Sequence, residues 1–433
     1  MQIDILGAGL AGCEAALWLA SQGIAVHLYE QKPIHFSPAH KSENFAELVC
    51  SNSLKADRVD SASGLLKAEM KLLGSSILPI AESCRVAAGG ALAVNRDEFS
   101  AAVTQKVRET PLITLHFGEV KTIDTTNENT LTLVATGPLT EGALAAEISR
   151  ITHDAALSFY DAAAPIVTAE SLDQNEIFAA SRYGHGTADY LNCPFDKAGY
   201  EAFYTALASA ERAPMHAFDG AITVYEGCMP IEVMAKRGAD TMRYGPLRPV
   251  GLTNPKTGHR PWANVQLRAE NKECTLYNLV GFQTNLKFGE QKRVFRMIPG
   301  LANAEFARYG VMHRNTFLNS PKLLETNLSL KNQQRVFFAG QITGFEGYME
   351  SAACGLLAAH AIAASLANKP PRTYPAVTMC GALLRHITTQ SKDFQPMGAN
   401  MGILPPLETH ERDKRLRYEK LAQRALSAMQ EIL

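Results

Sequence analysis

The stretch that decides the fold is MQIDILGAGLAGCEAALWLASQGIAVHLYE, residues 1–30. An apolar run at residues 2–6 predicts a strand, and a glycine turn follows it. The next residues predict a helix from about residue 13 to residue 22, and residues 24–29 predict a second strand that ends at Glu30. This order of elements opens a doubly wound α/β domain.

The turn is a complete GxGxxG in which each glycine has a physical task. Gly7 makes the tight turn, Gly9 lets a pyrophosphate approach the backbone, and Gly12 lets the helix lie close to the strand. The helix start offers unpaired N–H groups to phosphates. Glu30 can accept hydrogen bonds from an unphosphorylated ribose. We therefore predict that a dinucleotide binds to the turn and the acid: Gly7, Ala8, Gly9, Leu10, Ala11, Gly12 and Glu30.

The composition is that of an ordinary globular protein with room for two domains. The chain has 433 residues, 46% of them hydrophobic, and a net charge of −1. Its eight cysteines form no CxxC pair, which favours reduced thiols in a cytoplasmic protein and predicts no metal site. The N-terminus lacks the basic region of a signal peptide. Residues 351–368 are uncharged but Ala-rich, so we predict a buried helix and no membrane partner.

Positive charge is concentrated in residues 236–314, where 14 Lys plus Arg face 5 Asp plus Glu, an excess of 9. The whole chain is −1, so the remainder sums to −10. This basic window is either a solvated face or an RNA surface, and its interleaved aromatic residues favour RNA. The candidate RNA contacts in it are Arg237, Arg243, Lys287, Lys292 and Arg293.

Two cysteines stand in unusual surroundings. Cys50 precedes Ser51-Asn52-Ser53, which suits a polar pocket better than the inert core that most cysteines occupy. Cys228 follows a glycine and precedes Arg237 and Arg243, so its thiolate is electrostatically favoured if those cations face it. Taken alone, its pattern is as typical of a structural cysteine as of a catalytic one.

Other segments complete the organisation. Helices are predicted over residues 63–73, from Asn95 as N-cap, over 144–159 and over 411–433, and strands over 112–117 and 130–135. The turn at Gly137 is of the kind that passes close to a bound dinucleotide. A strand at 336–339, a turn at Gly340-Gln341 and a helix at 348–364 repeat the opening pattern. We therefore predict one discontinuous domain, 1–180 and 321–433, with an insertion at 181–320.

Long segments of this chain resemble the folate- and FAD-dependent tRNA (uracil-5-)-methyltransferases of the TrmFO family, which are related to the wobble-uridine proteins GidA/MnmG. The longest are ENFAELVCSNSL at 43–54, YEGCMPIEVMAKRG at 225–238, YNLVGFQTNLKFGEQKRVFRMIPGL at 277–301 and FFAGQITGFEGYMESAACGLLAA at 337–359. The resemblance implies a Rossmann-like FAD-binding domain of the glutathione-reductase type with an inserted α+β domain. Small departures include Cys13, Lys55 and the tail at 398–401.

The resemblance also implies a reaction, the conversion of U54 in the tRNA T loop to 5-methyluridine. The carbon would come from 5,10-methylenetetrahydrofolate and the electrons from reduced FAD, with NAD(P)H as the reductant. Uracil C5 is a feeble nucleophile, and a thiolate that adds at C6 activates it. Cys228 is carried over as this nucleophile and Cys50 as the thiol nearest the flavin, although the division of roles stays open. Near the flavin and folate the resemblance places Glu346, Tyr348 and, less firmly, Arg96, which is otherwise a surface cation.

Several alternatives remain. The same chemistry could act on a 23S rRNA uridine, or the chain could be a GidA/MnmG-like wobble-uridine protein, although its second cysteine motif and short C-terminus argue against that. A flavin-dependent reductase of small thiols or quinones would need a CxxxxC pair or a second GxGxxG, and neither is present. A non-catalytic RNA-binding flavoprotein would not need the two placed cysteines.

Overall fold

A computed structural model describes residues 1–37, 39–154, 157–184, 187–213, 229–391, 394–409 and 411–433, without the side chains of 157–161, 313 and 314. The strands in these ranges are β1 (Gln2–Leu6), β2 (Val26–Glu30), β3 (Ser53–Ala56), β4 (Arg85–Val86), β5 (Ala91–Val94), β6 (Ile113–Phe117), β7 (Thr130–Val134), β8 (Leu157–Ala162), β9 (Ile166–Thr168), β10 (Phe178–Ala179), β11 (Tyr190–Phe195), β12 (Ala263–Ala269), β13 (Leu276–Leu279), β14 (Phe306–Arg308), β15 (Met312–Phe317), β16 (Ser329–Leu330) and β17 (Gln333–Phe338). The helices are α1 (Leu10–Ser21), α2 (Ala62–Leu72), α3 (Ile77–Ser83), α4 (Arg96–Arg108), α5 (Gly142–Thr152), α6 (Lys197–Ser209), α7 (Ile231–Lys236), α8 (Thr241–Tyr244), α9 (Phe288–Phe295), α10 (Ser320–Leu323), α11 (Tyr348–Leu366), α12 (Met379–Thr388) and α13 (Lys414–Glu431).

The first core is built on a six-stranded sheet with the order β16-β17-β7-β1-β2-β6. The five strands from β17 to β6 run parallel, and β16 pairs antiparallel at one edge. β7 is buried along its whole length, as expected for a parallel strand with both faces covered. The predicted strands of this sheet are confirmed to within a few residues, and Asn95 caps α4 as predicted.

Two glycines set the packing of α1. The helix begins at Leu10, three residues before its predicted start, so Gly12 lies in its first turn. A Cβ atom at Gly12 would lie 1.9 Å from the carbonyl oxygen of Gly7, and one at Gly355 of α11 would lie 2.1 Å from that of Ala11. Because neither glycine carries a Cβ, α1 packs directly against both the turn and α11. α11 is apolar and long, and it is buried against this core, which confirms the predicted buried helix.

A second, wholly antiparallel sheet has the order β10-β11-β12-β13-β9-β14. Helices α6 to α9 contribute apolar side chains, among them Phe203, Ile231 and Phe295, to its separate core. The α/β class with an inserted α+β part is therefore confirmed. The strands of this second sheet come from residues 166–308, so they begin before residue 181.

The long helix predicted for residues 144–159 is wrong in its second half. α5 ends at Thr152, because His153 has the left-handed backbone conformation, with φ of 54°. Residues 157–162 instead form β8, which pairs antiparallel with β15. Pairing satisfies the backbone of this apolar segment equally well, and it brings Ala162 to the candidate site.

Candidate active site

A cleft of about 500 Å³ opens where the parallel strands β1, β2, β6, β7 and β17 end. Its lining includes most of the predicted dinucleotide residues: Gly7, Ala8, Gly9, Leu10, Ala11, Glu30, Gly137, Gly340, Gln341 and Tyr348. Gly12 packs beneath the turn instead of lining the cleft. Glu346 also does not line it, but its carboxylate accepts a hydrogen bond of 2.7 Å from the Gln341 amide and so holds that side chain.

Three features of this cleft fit the adenosine and pyrophosphate part of FAD. A Cβ atom at Gly9 would meet nothing within 4 Å, so the backbone here is open to a close approach. No side chain caps the start of α1, which leaves its first N–H groups for phosphate oxygens. The Glu30 oxygens accept from the backbone N–H groups of Ala8 and Lys32, at 2.9 and 3.0 Å. Each oxygen keeps a second lone pair for a ribose hydroxyl.

Tyr348 connects the cleft to Cys50. Its hydroxyl oxygen accepts hydrogen bonds from the backbone N–H groups of Cys50 and Ser51, at 2.7 and 3.2 Å. Burial, and then the neighbouring Cys50, raise the pKa of Tyr348, so the hydroxyl stays protonated. Cys50 itself is half-buried, with its sulfur 3.7 Å from the Ala162 carbonyl oxygen. A partly accessible thiol therefore lies beside the dinucleotide cleft.

Three arginines from separate elements bond to the segment around Cys50. We name this cluster, residues 48–52 with Arg96, Arg268, Glu270 and Arg308, the Cys50 seam. Arg96 donates to the carbonyl oxygens of Leu48 and Cys50, at 3.0 and 3.4 Å. Arg308 donates to those of Val49 and Cys50, at 3.2 and 2.9 Å. Arg268 donates to the side chains of Asn52 and Ser51, at 2.9 and 2.8 Å.

The seam corrects two interpretations of the sequence. Arg96 is not a surface cation, because it is largely buried and forms a two-bond ion pair with Glu270, at 2.6 and 3.1 Å. Arg268 and Arg308 count in the basic window, yet their guanidinium groups bind the chain itself. A sequence signal existed for Arg268 alone, which stands in the apolar strand ANVQLRA. Nothing in the sequence marked Arg308 as a partner of Cys50.

Cys228 lies outside the described residues, but the chain that follows it is firmly anchored. The N–H of Ile231 donates to the Gln283 carbonyl oxygen at 2.7 Å. The buried Glu232 accepts from the Thr284 hydroxyl and the Asn285 N–H, at 2.8 and 2.9 Å. The start of α7 is therefore fixed to the loop that precedes α9.

The candidate RNA contacts form two groups on the part of the protein built on the second sheet with helices α6 to α9, which we name the second unit. Lys287, Lys292 and Arg293 are exposed at α9, where Lys287 pairs with Glu211 and Arg293 with Glu290, each at 2.6 Å. In the other group, Arg237 is exposed at the end of α7, and Arg243 stacks on the Trp262 ring at 3.8 Å. Exposed ion pairs contribute little, so these cations can exchange their partners for phosphates.

An aromatic column lies beside the α9 cations. Phe288, 55% exposed, stacks on Tyr309 with ring centroids 4.8 Å apart, and Tyr309 stacks on Phe306 at 5.1 Å. The buried Gln291 amide fixes α9 to the segment that follows β14, since it exchanges two hydrogen bonds of 2.8 Å with the Gly310 backbone. An exposed ring among cations is the arrangement on which unstacked RNA bases bind.

Comparison with known proteins agrees with this geometry. The family model described as "Glucose inhibited division protein A" matches residues 2–370. A curated protein of Halalkalibacterium halodurans, named methylenetetrahydrofolate--tRNA-(uracil-5-)-methyltransferase TrmFO, is 52% identical over 99% of this chain and 98% of its own length. A protein of the same name from Desulforamulus reducens is 54% identical over 99% of this chain and 97% of its own.

The solved structures support the fold. Aquifex aeolicus GidA in its form I crystal superposes with a TM-score of 0.70 at 15% identity, covering 100% of this chain and 76% of that chain. At this sequence identity the structural similarity shows only a shared fold. The relatives that match over nearly their full length show the family. The chain therefore belongs to the glucose-inhibited division protein A family and, within it, to the TrmFO group.

Proposed function

We propose that this chain methylates C5 of a uridine in tRNA, with methylenetetrahydrofolate as the carbon donor and FAD as its flavin. One observation carries the proposal: Tyr348 lines the dinucleotide cleft and its hydroxyl oxygen holds the backbone N–H of Cys50 at 2.7 Å. A cleft that fits FAD thus lies against a thiol, which is the pairing that reductive methylation of a uracil requires. The names of relatives 52% and 54% identical support this reaction type.

The residues of the cleft would hold the cofactor as follows. The glycine turn and Glu30 bind its pyrophosphate and ribose, while Gly137, Gly340 and Gln341 line the remaining length. Glu346 keeps the Gln341 amide in place, and Tyr348 holds the Cys50 segment against the cleft. Bound and reduced FAD supplies the electrons that convert the methylene carbon of the folate into a methyl group, and we assign its reduction to NAD(P)H.

The two thiols would act on the uracil. The Cys228 thiolate adds to C6, and the electron pair of the C5–C6 double bond moves to C5 and the C4 carbonyl, which makes C5 nucleophilic. After C5 has bonded to the methylene carbon, Cys50 removes the proton from C5 and the bond between that carbon and its carrier nitrogen breaks. Addition of a hydride to the resulting exocyclic methylene completes the methyl group, the C5–C6 double bond re-forms and the Cys228–C6 bond breaks. Protection of the flavin by Cys50 is the alternative role.

The second unit would bind the RNA. Lys287, Lys292 and Arg293 lie at α9 together with the exposed Phe288, and Arg237 and Arg243 follow Cys228 along the chain. Cations bind the phosphates, and an exposed ring accepts an unstacked base. Because its substrate is tRNA, we infer that the protein works in the cytoplasm.

The test is to map the product. The FAD-loaded protein is incubated with carbon-labelled methylenetetrahydrofolate, NADH or NADPH, and unmodified tRNA or 23S rRNA, and the RNA fragments are analysed by mass spectrometry. We expect one labelled 5-methyluridine in the tRNA T loop, at U54. Label in the rRNA alone would show that 23S rRNA, and not tRNA, is the substrate. Label in neither RNA would overturn the proposal.

The role of Cys228 has its own test. Cys228→Ala should abolish methylation while the flavin absorbance is retained, since the adding thiolate is lost and the cleft is not. Cys274→Ala is the matched control, because Cys274 is exposed in the turn between β12 and β13, and it should retain full activity. Normal turnover by Cys228→Ala would remove this residue from the mechanism.

A further inference from the structure

The Cys50 seam carries more positive charge than its acidic partner balances. Its three guanidinium groups face one carboxylate, that of Glu270, which pairs with Arg96. Within the described ranges, neither Arg268 nor Arg308 makes an ion pair. Burial, and then the neighbouring Arg96, lower the pKa of Arg308 below its ordinary value. Burial of unbalanced cations is costly unless a nearby anion compensates them.

The groups around the seam narrow the identity of that anion. Among the described residues, the charged and titratable groups that bond to residues 48–52 are Arg96 from α4, Arg268 from β12, Arg308 from β14 and Tyr348 from α11, and Glu270 bonds to Arg96. Glu270 is already bonded through both oxygens, and Tyr348 remains protonated. In the part of the chain that the structure describes, the remaining group that can become an anion at the centre of the seam is the Cys50 thiol.

The hydrogen bonds also fix the backbone from which that thiol extends. Arg308 spans two successive carbonyl oxygens, those of Val49 and Cys50, and Arg96 spans Leu48 and Cys50. The Cys50 carbonyl therefore accepts from two guanidinium groups while its N–H donates to Tyr348. Both ends of the residue are held, so its side chain starts from a defined point within a positive field.

We propose that Arg308, together with Arg96, is a positioning residue that holds Cys50 in place and keeps it as a thiolate. The inference rests on the proposed function only in the use it gives Cys50; the charge state itself is a property of this chain. A thiolate at Cys50 can take up a proton at once, as removal of the C5 proton requires. It would also make Cys50 a selective target for electrophiles and oxidants.

The experiment measures the ionisation of Cys50 in the FAD-loaded protein. Iodoacetamide alkylation is followed from about pH 6 to about pH 10, and the Cys50 peptide is quantified by mass spectrometry. We expect an alkylation midpoint at least about one pH unit below the ~8.5 of an ordinary cysteine. A wild-type midpoint at or above ~8.5, or no alkylation at any pH, would overturn the proposal without any variant.

Variants then separate charge from structure. Arg308→Met should raise the midpoint by about one unit or more, and Arg308→Lys, which keeps the charge, should restore most of the shift. Arg296→Met is the matched control, because Arg296 also donates twice to a backbone carbonyl, that of Ala304, away from the seam. An unchanged midpoint in a folded, FAD-bound Arg308→Met protein contradicts the proposal. A shifted midpoint without tRNA methylation by the wild type would instead refute the proposed function alone.

Discussion

The dinucleotide cleft and the Cys50 seam are built in opposite ways. The cleft is formed mainly by backbone at the ends of parallel strands; its central turn leaves the space above Gly9 open and requires the absence of a Cβ at Gly12. The seam is formed by buried charged side chains that reach residues 48–52 from 46 to 259 positions away. One short segment of sequence is thus enough to specify a Rossmann-like turn, whereas the Cys50 seam forms only when distant segments fold together.

The largest expected effect comes from breaking the seam. Glu270→Gln removes the partner of Arg96 and leaves another buried guanidinium group unbalanced. We expect the free energy of unfolding, measured with urea on the FAD-loaded protein, to fall by about 3–5 kcal/mol. Glu98→Gln removes an exposed pair with Lys272 and should cost less than about 1 kcal/mol. Equal losses in the two variants would mean that the buried Arg96–Glu270 pair contributes no more to stability than an exposed ion pair.

In the cleft, the expected effects come from adding a Cβ atom to a glycine of the turn. Gly12→Ala places a Cβ against the carbonyl oxygen of Gly7, so we expect a loss of about 1–3 kcal/mol in stability and a low FAD content. Gly9→Ala fills open space at an ordinary φ of −76°, so the protein should stay folded. It should nevertheless bind FAD more weakly, as measured by flavin titration. Full FAD affinity in Gly9→Ala would show that the pyrophosphate does not approach that residue.

The first core also contains buried carboxyl groups, and these make its stability depend on pH. Burial raises the pKa of Glu69 from 4.5 to about 7, although its oxygens accept from the N–H groups of Met379 and Cys380, at 2.7 and 2.8 Å. Because the folded pKa lies above the unfolded one, the stabilisation is complete below pH 4.5 and is lost as pH rises through about 7.

Glu69→Gln removes this titration. Between about pH 6 and pH 8, the free energy of unfolding of the wild type should fall by about 1 kcal/mol more than that of the variant. Glu128→Gln, an exposed control, should follow the wild type. If wild type and Glu69→Gln lose stability in parallel over this range, Glu69 does not titrate there.

The smallest effect is expected on the proposed RNA surface. Lys292 is exposed on α9 and, in the described part of the chain, makes no ion pair. Lys292→Ala should lower the slope of log affinity for tRNA against log salt by about one. Lys106→Ala changes an exposed lysine in the last turn of α4 and should leave the slope unchanged. Identical slopes in wild type and Lys292→Ala would place the RNA elsewhere.

The sequence correctly predicted the features that depend on neighbouring residues. Strand, turn and acid in residues 1–30, the Asn95 cap and the turn at Gly340 depend on neighbours within a few positions, and the structure agrees with them. The helix predicted for 144–159 failed because the apolar pattern there suits helix and strand alike, and pairing with β15 decides between them. Local spacing cannot report a partner from residues 312–317.

The seam was beyond prediction for the same physical reason. Counting charges in residues 236–314 treats every cation as exposed, but Arg268 and Arg308 donate to residues 49–52, more than 200 positions away. Cys50 was singled out because short polar residues follow it. The arginines that bond to residues 48–52 lie on α4, β12 and β14, and only the fold brings these elements together.

The glycine contact between α1 and α11 has a consequence for tolerance to mutation. α1 begins at the phosphate end of the cleft, α11 begins with Tyr348 at Cys50, and the two helices meet where Gly355 lies against the Ala11 carbonyl. The separation of these two helices therefore sets the distance between the glycine turn and Tyr348. A larger residue at position 355, which touches neither ligand nor thiol, would change the span of the whole site. Selection for catalysis would then act on a residue deep in the core.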